Sequence, residues 1–338
     1  MAKLPPIYTD HGTTYQADTC LPLDEAARSG KLKFEALAHG HYPGHRLPRN
    51  ALSALKTVGF WDAEHDQDWG LDWHRNEGLE LTYLERGTLA FALDDQRHAL
   101  HPDDLTITRP WQPHCVGDPH VTAGRLHWVI LDVGVRHPHQ AWRWPGWLVL
   151  TKADIQELTD FLRQNEQPVW HASEGIRRCF QQMAEAVESD VDGANVSSLA
   201  VYLNELLLQL LQLFRVQQAP LDDSLTSTLR TVELFWADLR GNPEHLALEW
   251  TVPTMAARCG LGVTQFLKYS KQLTNVTPAH YLNYCRVESA ASMLSGETNK
   301  SVTEIALSCG FSSSQYFASV FRRHYGCTPN AYRQQAHR

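Results

Sequence analysis

The sequence lacks the features that identify several common classes of protein. Its seven cysteines are odd in number, scattered and never spaced C-x-x-C, which argues against a disulfide framework or a zinc site and indicates reduced thiols. No glycine-rich phosphate loop, no nucleophile paired with a base and no suitably placed pair of acids stands out. We therefore expect neither a catalytic residue nor a cofactor, and no enzyme.

Long uninterrupted apolar runs are also missing. The first ten residues, MAKLPPIYTD, contain no stretch of signal-peptide length, and polar residues interrupt the most apolar run, LNELLLQLLQLF from Leu203. We therefore expect a cytoplasmic protein with no membrane partner.

An excess of positive charge is absent from the chain as a whole, whose net charge is -8. From Val252 to Arg338, however, nine Lys or Arg face three Asp or Glu, whereas the preceding residues hold 21 against 35. Because nucleic-acid binding depends on cations that neutralise phosphates, this division predicts a DNA-binding part joined to an acidic domain. At 338 residues the chain is long enough for two domains.

Periodicity divides the chain into strands and helices. Between residues 71 and 133 apolar and polar residues alternate, as in LELTYLERG from Leu79, which is typical of antiparallel strands with one buried face. After Lys152 the period becomes helical. We predict an α+β multidomain protein with an antiparallel β-barrel, further helices, and an all-α C-terminal domain.

One helical segment has apolar residues at heptad spacing: Val196, Leu199, Leu203, Leu206, Leu210 and Leu213. This seam indicates either a helix packed on the strand domain or a dimer interface. The run QQAPLDD after it is the best candidate for a linker. We predict an effector domain with an N-terminal arm over residues 1–150, a helical dimerisation or linker region over 151–220, and a DNA-binding domain over 221–338.

The strongest signal is an internal repeat. MAARCGLGVTQF from Met255 and IALSCGFSSSQY from Ile305 match at an offset of fifty, and TPAHY and TPNAY match at an offset of fifty-one. Each copy reads as a helix, a turn at a glycine that adopts positive φ, and a second helix, over residues 252–274 and 301–324. An ordinary helical hairpin shares this pattern, but two copies inside a basic segment favour DNA binding.

A single helix is predicted between the two copies, with Thr277 as its N-cap, Pro278 in its first turn and Gly296 after its end. A rigid connection would set two recognition helices into successive major-groove segments about 34 Å apart.

These residues resemble the AraC/XylS family of bacterial transcription regulators. The family pattern is matched over roughly residues 225–333 by Ala256, Gly260, Leu261, Phe266, Lys271, Arg286, Ala290, Leu294, Ile305, Ala306, Gly310, Phe311, Tyr316, Phe317, Phe321, Gly326, Pro329, Tyr332 and Arg333. The resemblance departs at Ser270, where the family usually buries Phe, and at Ser319, where Arg is common.

The resemblance implies a set of DNA-binding residues. Base-facing positions fall at Thr264, Leu267 and Lys268 in the first copy and at Ser314, Gln315, Ala318 and Ser319 in the second. Gln265 is a further DNA-binding candidate of the first copy. Lysine donates to guanine, glutamine pairs with adenine, and apolar groups touch the thymine methyl. Lys271, Arg322 and Arg323 are interpreted as phosphate contacts.

The strand region resembles the cupin-like effector domain found in front of many such DNA-binding domains. His74, Glu80, Gly87 and His114 fit the motif of metal-binding cupins, but Asn76 replaces its second histidine. Because an amide is a poor ligand for transition metals, we predict a pocket that binds a small molecule without a metal. A metal-dependent cupin enzyme with a DNA-binding tail is the alternative.

Further candidate ligand-binding residues are Arg46 and three tryptophans, Trp73, Trp111 and Trp128. Indoles pack on sugar rings, which favours a carbohydrate effector, although strand tryptophans more often fill cores. The composition of the segment HGHYPGHRLPR, which begins at His39, favours an extended surface arm. The family resemblance implies a second interpretation, because such an arm can cover the ligand in family members. Arg46 would then pair with an anionic group of the effector.

The combined prediction is a DNA-binding transcription regulator controlled by a small-molecule effector. Its expected partners are promoter or operator DNA, the effector, a second copy of the chain in a homodimer, and RNA polymerase. An architectural DNA-binding protein that responds to no effector is a further alternative.

Overall fold

The structure is a computed structural model that describes residues 7–10, 13–17, 20–93, 96–296 and 300–336. A first compact unit ends at Thr226 and a second begins at Ser227. The strands in chain order are β1 (Ile7–Asp10), β2 (Thr13–Gln16), β3 (Lys33–Ala38), β4 (His45–Arg46), β5 (Leu55–Ala63), β6 (Leu71–His74), β7 (Leu79–Gly87), β8 (Leu89–Leu93), β9 (Gln96–Leu100), β10 (Asp104–Thr108), β11 (His114–Val116), β12 (Gly124–Leu131) and β13 (Val169–His171).

Two sheets of the first unit enclose a common apolar core. One has the strand order β13-β10-β7-β12-β5-β3-β4 and the other β6-β11-β8-β9, while β1 and β2 pair separately. Neighbouring strands in the two larger sheets are antiparallel except for the pair β3 and β4. Phe91 from one sheet and Leu126 and Ile130 from the other lie in the same core, which confirms the predicted antiparallel barrel.

Strand β7 is buried on both faces, whereas the sequence predicted one buried face. Leu79, Leu81 and Tyr83 pack against a cluster that includes helical side chains, while Glu80 and Thr82, on the opposite face, are also buried. The alternation predicted the strand correctly, but the polar positions point into the barrel instead of into solvent.

Among the residues described, the first unit also contains the α-helices α1 (Leu21–Arg28), α2 (Lys152–Gln164), α3 (Glu174–Glu188) and α4 (Val196–Gln217). The side chains of Thr151 and Ser173 cap α2 and α3 by accepting hydrogen bonds from the amides of Asp154 and Ile176. Both helices, together with α4, share a hydrophobic cluster with the outer face of the larger sheet.

The heptad seam of α4 lies inside this cluster. Leu199, Leu203, Leu206 and Leu210 are fully buried in contact with the same unit, so the seam serves packing on the strand domain and is not available to a second chain. Helix α4 is long and apolar enough to cross a bilayer, but helices in the cores of soluble proteins can have the same length and apolar composition.

The second unit is helical in the residues described. Its helices are α5 (Thr228–Gly241), α6 (Pro243–Ala247), α7 (Val252–Arg258), α8 (Val263–Thr274), α9 (Pro278–Ser295), α10 (Val302–Ser308), α11 (Ser314–Tyr325) and α12 (Pro329–Ala336). The predicted linker helix is confirmed as α9: Thr277 accepts from the amide of His280 at its start, and Gly296 follows its last residue.

The repeated copies differ by one residue in their turns. Helices α7 and α10 each have seven residues at an offset of fifty, whereas α8 and α11 each have twelve at an offset of fifty-one. Gly260 and Gly310 adopt the predicted positive φ, at 64° and 85°. The additional residue of the second copy therefore lies between the turn glycine and the second helix, and Gln265 and Gln315 do not occupy equivalent positions.

Helix α9 belongs to both cores of the second unit. Leu282 and Cys285, in its first half, pack in the core around α7 and α8. Ala290 and Leu294, in its second half, pack in the core around α10 and α11. A continuous helix that is buried at both ends fixes the separation between the two repeated copies.

Candidate functional site

Helix α8 presents one buried and one exposed face. Phe266 and Ser270 are fully buried, whereas all five predicted DNA-binding residues of the helix are exposed: Thr264, Gln265, Leu267, Lys268 and Lys271. Leu267 exposes 40% of its surface, which is unusual for leucine and suits a contact with a thymine methyl. The face is therefore available for reading bases.

Ser270, the departure from the family pattern, has a structural partner. Its hydroxyl accepts a hydrogen bond from the indole of Trp236 at 3.1 Å, and Trp236 is itself buried beside Phe266. At the offset of fifty-one, Ser270 corresponds to Phe321 of the second copy, which packs on Phe317.

Helix α11 presents a matching face. Its N-cap Ser313 accepts from the amide of Tyr316, and Phe317 and Phe321 are buried. Of the predicted contact residues, Gln315, Ser319, Arg322 and Arg323 are exposed, and Ser314 and Ala318 are half-buried. The two arginines lie in its last turn, as expected for side chains that reach the phosphate backbone.

Three of the predicted base-facing positions in each helix are equivalent. At the structural offset of fifty-one, Thr264, Leu267 and Lys268 correspond to Gln315, Ala318 and Ser319. Each trio lies on the first turn and a half of its helix. The two helices therefore carry different side chains at equivalent surface positions.

Arg286 holds neighbouring elements of the second unit in position. The sequence indicated this residue only as one member of the family pattern. It is buried in α9 and donates to the backbone oxygens of Leu246 and Leu248, at 3.2 and 2.7 Å. A Cβ atom added to Gly310 would lie 2.7 Å from its guanidinium. Arg286 thus ties the end of α6 to the linker helix and to the turn of the second copy.

A second candidate site lies in the barrel of the first unit. The possible ligand atoms of His74, Glu80 and His114 all lie within 4.8 Å of one another, and His114 and Glu80 are buried. The Nε2 atom of His114 is 2.9 Å from a Glu80 carboxylate oxygen. Burial favours the neutral form of Glu80, but His114, His74 and Asn76 outweigh it and hold the pKa of Glu80 below its usual value.

Asn76 connects this cluster to the segment that begins at His39. Its amide donates to Glu80 at 2.7 Å, and its carbonyl oxygen lies 3.2 Å from the hydroxyl of Tyr42. Tyr42 donates to the buried Glu77 at 2.6 Å. Burial, followed by the charge of Glu77, raises the pKa of Tyr42 well above its usual value, so the hydroxyl remains protonated.

The prediction of an extended surface arm over this segment is wrong. Tyr42 and Leu47 are buried, each in one of the two hydrophobic clusters of the first unit. The tyrosine ring and the polar network at its hydroxyl hold the segment against the barrel. Composition alone does not reveal this packing, because the partners of Tyr42 lie more than thirty residues away in sequence.

Polar side chains continue along the inner face of the barrel. Thr82 and Thr106 share a hydrogen bond across β7 and β10, and the next pair on the same face of the sheet is Glu80 and Thr108. Trp128, from β12, donates its indole hydrogen to Thr57 at 3.2 Å. The residues predicted from sequence did not include these threonines, although their alternation with Leu105 and Ile107 indicates a polar inner face.

The other predicted ligand residues lie outside the cluster. Trp73 lies in β6 with 47% of its surface exposed. Trp111 donates its indole hydrogen to the carbonyl of Val135, and its backbone amide donates to Asn76. Arg46 lies exposed in β4 and donates to the carbonyl of Tyr42.

Comparisons with known proteins agree with the two-unit architecture. A family described as a helix-turn-helix domain matches residues 255–335, and one described as a cupin domain matches residues 64–130.

Curated relatives are named as transcriptional activators. The chain is 31% identical over 159 residues to the HTH-type transcriptional activator RhaS of Klebsiella pneumoniae (strain 342), which covers 47% of this chain and 53% of that protein. This chain thus spans about half the length of that relative. With RhaS of Salmonella heidelberg (strain SL476), identity is 30% over 301 residues, covering 87% of this chain and 94% of the relative. A solved DNA-binding domain of AdpA, in complex with a target DNA, covers 32% of this chain and 92% of that domain at 34% identity and a TM-score of 0.28.

Proposed function

Because the chain belongs to the AraC/XylS family of transcriptional regulators, we propose that it regulates transcription by binding promoter or operator DNA through α8 and α11. The observation that carries this proposal is the equivalence of two sets of surface residues, Thr264, Leu267, Lys268 and Gln315, Ala318, Ser319, on two helices joined by a shared buried helix. Such a pair can read two adjacent blocks of one duplex.

The test is selection of bound fragments from genomic DNA with the full chain, titrated against salt. We expect sites with two readable blocks about one helical turn, roughly 34 Å, apart. The double variant of Lys268→Ala and Gln315→Ala is expected to lose sequence preference while retaining salt-dependent binding. Binding that is weak and independent of sequence for the unmodified chain would refute the proposal and favour an architectural protein.

We further propose that the barrel of the first unit binds a small-molecule effector, with a carbohydrate as the favoured class. The supporting observation is the polar inner face formed by Glu80, Thr82, Thr106 and Thr108 beside Trp128, since hydroxyls and an indole suit the two faces of a sugar. This role is regulatory and not catalytic: the effector would shift the population of DNA-binding states.

A carbohydrate screen by thermal unfolding tests this part. A true effector is expected to raise the melting temperature of the full chain and to change its affinity for the selected DNA, and both effects are expected to disappear in Trp128→Ala. An unfolding shift that persists in this variant would contradict the assignment of the barrel interior.

The remaining parts of the proposal are a homodimer, contact with RNA polymerase and a cytoplasmic location. Since the heptad seam of α4 is buried, a dimer requires another face, and Val201, Leu208 and Val216 are exposed apolar residues of the same helix. Light scattering of the full chain at micromolar concentration tests the dimer, and a monomeric mass would refute it.

A further inference from the structure

We propose that a crevice between β10 and the ends of α2 and α4 binds a small aromatic carboxylate. The residues that define this α2 crevice in the argument are Arg109, Gln112, Phe161, Glu166, Trp170 and Phe214. It encloses about 300 Å³ of space, part of it open to solvent, which accommodates a single ring with a carboxylate. This inference goes beyond the proposed function, because it depends neither on DNA binding nor on the interior of the barrel.

Three aromatic side chains line the apolar side of the α2 crevice. The ring of Phe214 packs against those of Phe161 and Trp170, with centroids 5.2 and 5.0 Å apart. Trp170 and Phe214 are buried, whereas Phe161 is only partly buried. Because aromatic rings favour tilted or offset neighbours at such distances, a further ring can extend this group.

Arg109 supplies a positive charge at the polar side of the crevice. Its side chain is only 20% exposed, and its Nη2 lies 3.3 Å from a carboxylate oxygen of Glu166. Its Nε donates to the side-chain oxygen of Gln112 at 3.4 Å. Among the residues described, these two contacts use two of the five N–H donors of the guanidinium. The group is therefore held in place and retains donors for a ligand.

The contact between Arg109 and Glu166 is one that a ligand can replace. Glu166 is 48% exposed, and ion pairs with exposed members contribute little because water screens the charges. A ligand carboxylate can instead accept two parallel hydrogen bonds from the guanidinium, which is a stronger and more specific arrangement. The aromatic side chains would then bind the ring of the ligand, and Arg109 would select its charge.

The crevice adjoins the attachment of the segment that precedes the second unit. Asn165 lines the crevice and donates to the backbone carbonyl of Pro220 at 2.9 Å. The backbone carbonyl of Gln164 accepts from the amide of Asp222 at 2.7 Å. A ligand in the crevice would therefore lie beside a residue that holds this segment on α2.

The test is a calorimetric titration of the full chain with benzoate, benzamide and acetate in separate experiments. We expect one benzoate to bind per chain. Benzamide keeps the ring without the charge and acetate keeps the charge without the ring, so each is expected to bind at least about 10-fold more weakly. Benzamide or acetate that binds as tightly as benzoate would contradict the proposed recognition.

Two variants at the polar side are expected to act in opposite directions. Arg109→Gln removes the charge and is expected to weaken benzoate binding about 10- to 100-fold. Glu166→Gln removes the competing carboxylate and is expected to strengthen it about 2- to 5-fold. A general disturbance of the fold would instead weaken binding in both variants.

Arg97→Gln is the matched control, because Arg97 is an exposed arginine of the first unit that does not line the crevice. It is expected to bind benzoate like the unmodified chain, and melting temperatures verify that each variant is folded. Hydrogen exchange locates the ligand, with protection expected over residues 107–112 and 161–170. The proposal is wrong if the folded chain does not bind benzoate, if Arg109→Gln binds it equally well, or if these residues gain no protection.

Discussion

At the scale of the residue, Lys268 is predicted to discriminate between bases. It is exposed on the first turns of α8, at the position that Ser319 occupies in α11. Lys268→Ala is expected to reduce the preference at one base pair by about 1–3 kcal/mol, because a lysine contact with guanine is lost. Binding to a panel of single-base variants of the selected site measures this, and an equal loss for every sequence would contradict it.

Arg322 is predicted to act on the phosphate backbone instead. It lies exposed in the last turn of α11. Arg322→Ala is expected to weaken binding to all sequences and to reduce the slope of log affinity against log salt by about one, since one counterion fewer is released. Arg28→Ala, an exposed cation of the first unit, serves as the control. Altered sequence preference at an unchanged slope would show that the assigned roles are wrong.

Ser270 is predicted to contribute to stability through Trp236. Ser270→Ala removes the buried acceptor of the indole hydrogen and is expected to lower the free energy of unfolding of the second unit by about 1–3 kcal/mol. Chemical denaturation followed by tryptophan fluorescence measures the loss. Ser312→Ala, at an exposed position, is expected to stay within about 0.5 kcal/mol. Similar values for both variants would mean that the hydrogen bond contributes nothing.

At the scale of the element, two glycines allow backbone strain to be separated from steric contact. Gly310 and Gly326 both have positive φ, at 85° and 73°. A Cβ atom at Gly310 would lie 2.7 Å from Arg286 and 2.8 Å from the carbonyl of Ala247, whereas nothing lies within 4 Å at Gly326. The turn of the second copy is therefore crowded, and the end of α11 is open.

We expect Gly326→Ala to lower the free energy of unfolding by about 1–2 kcal/mol, because a residue with a side chain pays a penalty in the left-handed conformation. Gly310→Ala is expected to lower the free energy of unfolding by more than Gly326→Ala does, because the guanidinium of Arg286 must also move away from its two carbonyl partners. Denaturant midpoints of the two variants measure the difference. Equal losses would indicate that the contact around Arg286 adjusts without cost.

At the scale of the whole molecule, the second unit is predicted to read its two DNA blocks at a fixed distance. Helix α9 has 18 residues and is about 27 Å long, and both of its halves are buried in cores. An insertion of about five base pairs between the blocks rotates them by half a turn and is expected to reduce affinity to that of a single block. Gel-shift titrations test this, and unchanged affinity would mean that the copies bind independently.

The sequence by itself determined the features that depend on local chemistry. The helix-turn-helix copies, the capped linker helix and the positive φ of Gly260 and Gly310 follow from turn residues and periodicity within about twenty residues. The strands of the barrel follow from alternation in the same way. These signals are local because hydrogen bonds inside a helix or a turn join residues that are near in sequence.

Tertiary structure alone decided which faces and groups meet. The alternation in β7 did not reveal that Glu80 and Thr82 point into a barrel, and the spacing in α4 did not separate packing within the chain from dimerisation. Tyr42 donates a hydrogen bond to Asn76, and Trp236 donates one to Ser270, across 34 residues in each case. Such contacts depend on how distant segments pack, which periodicity and local propensity do not encode.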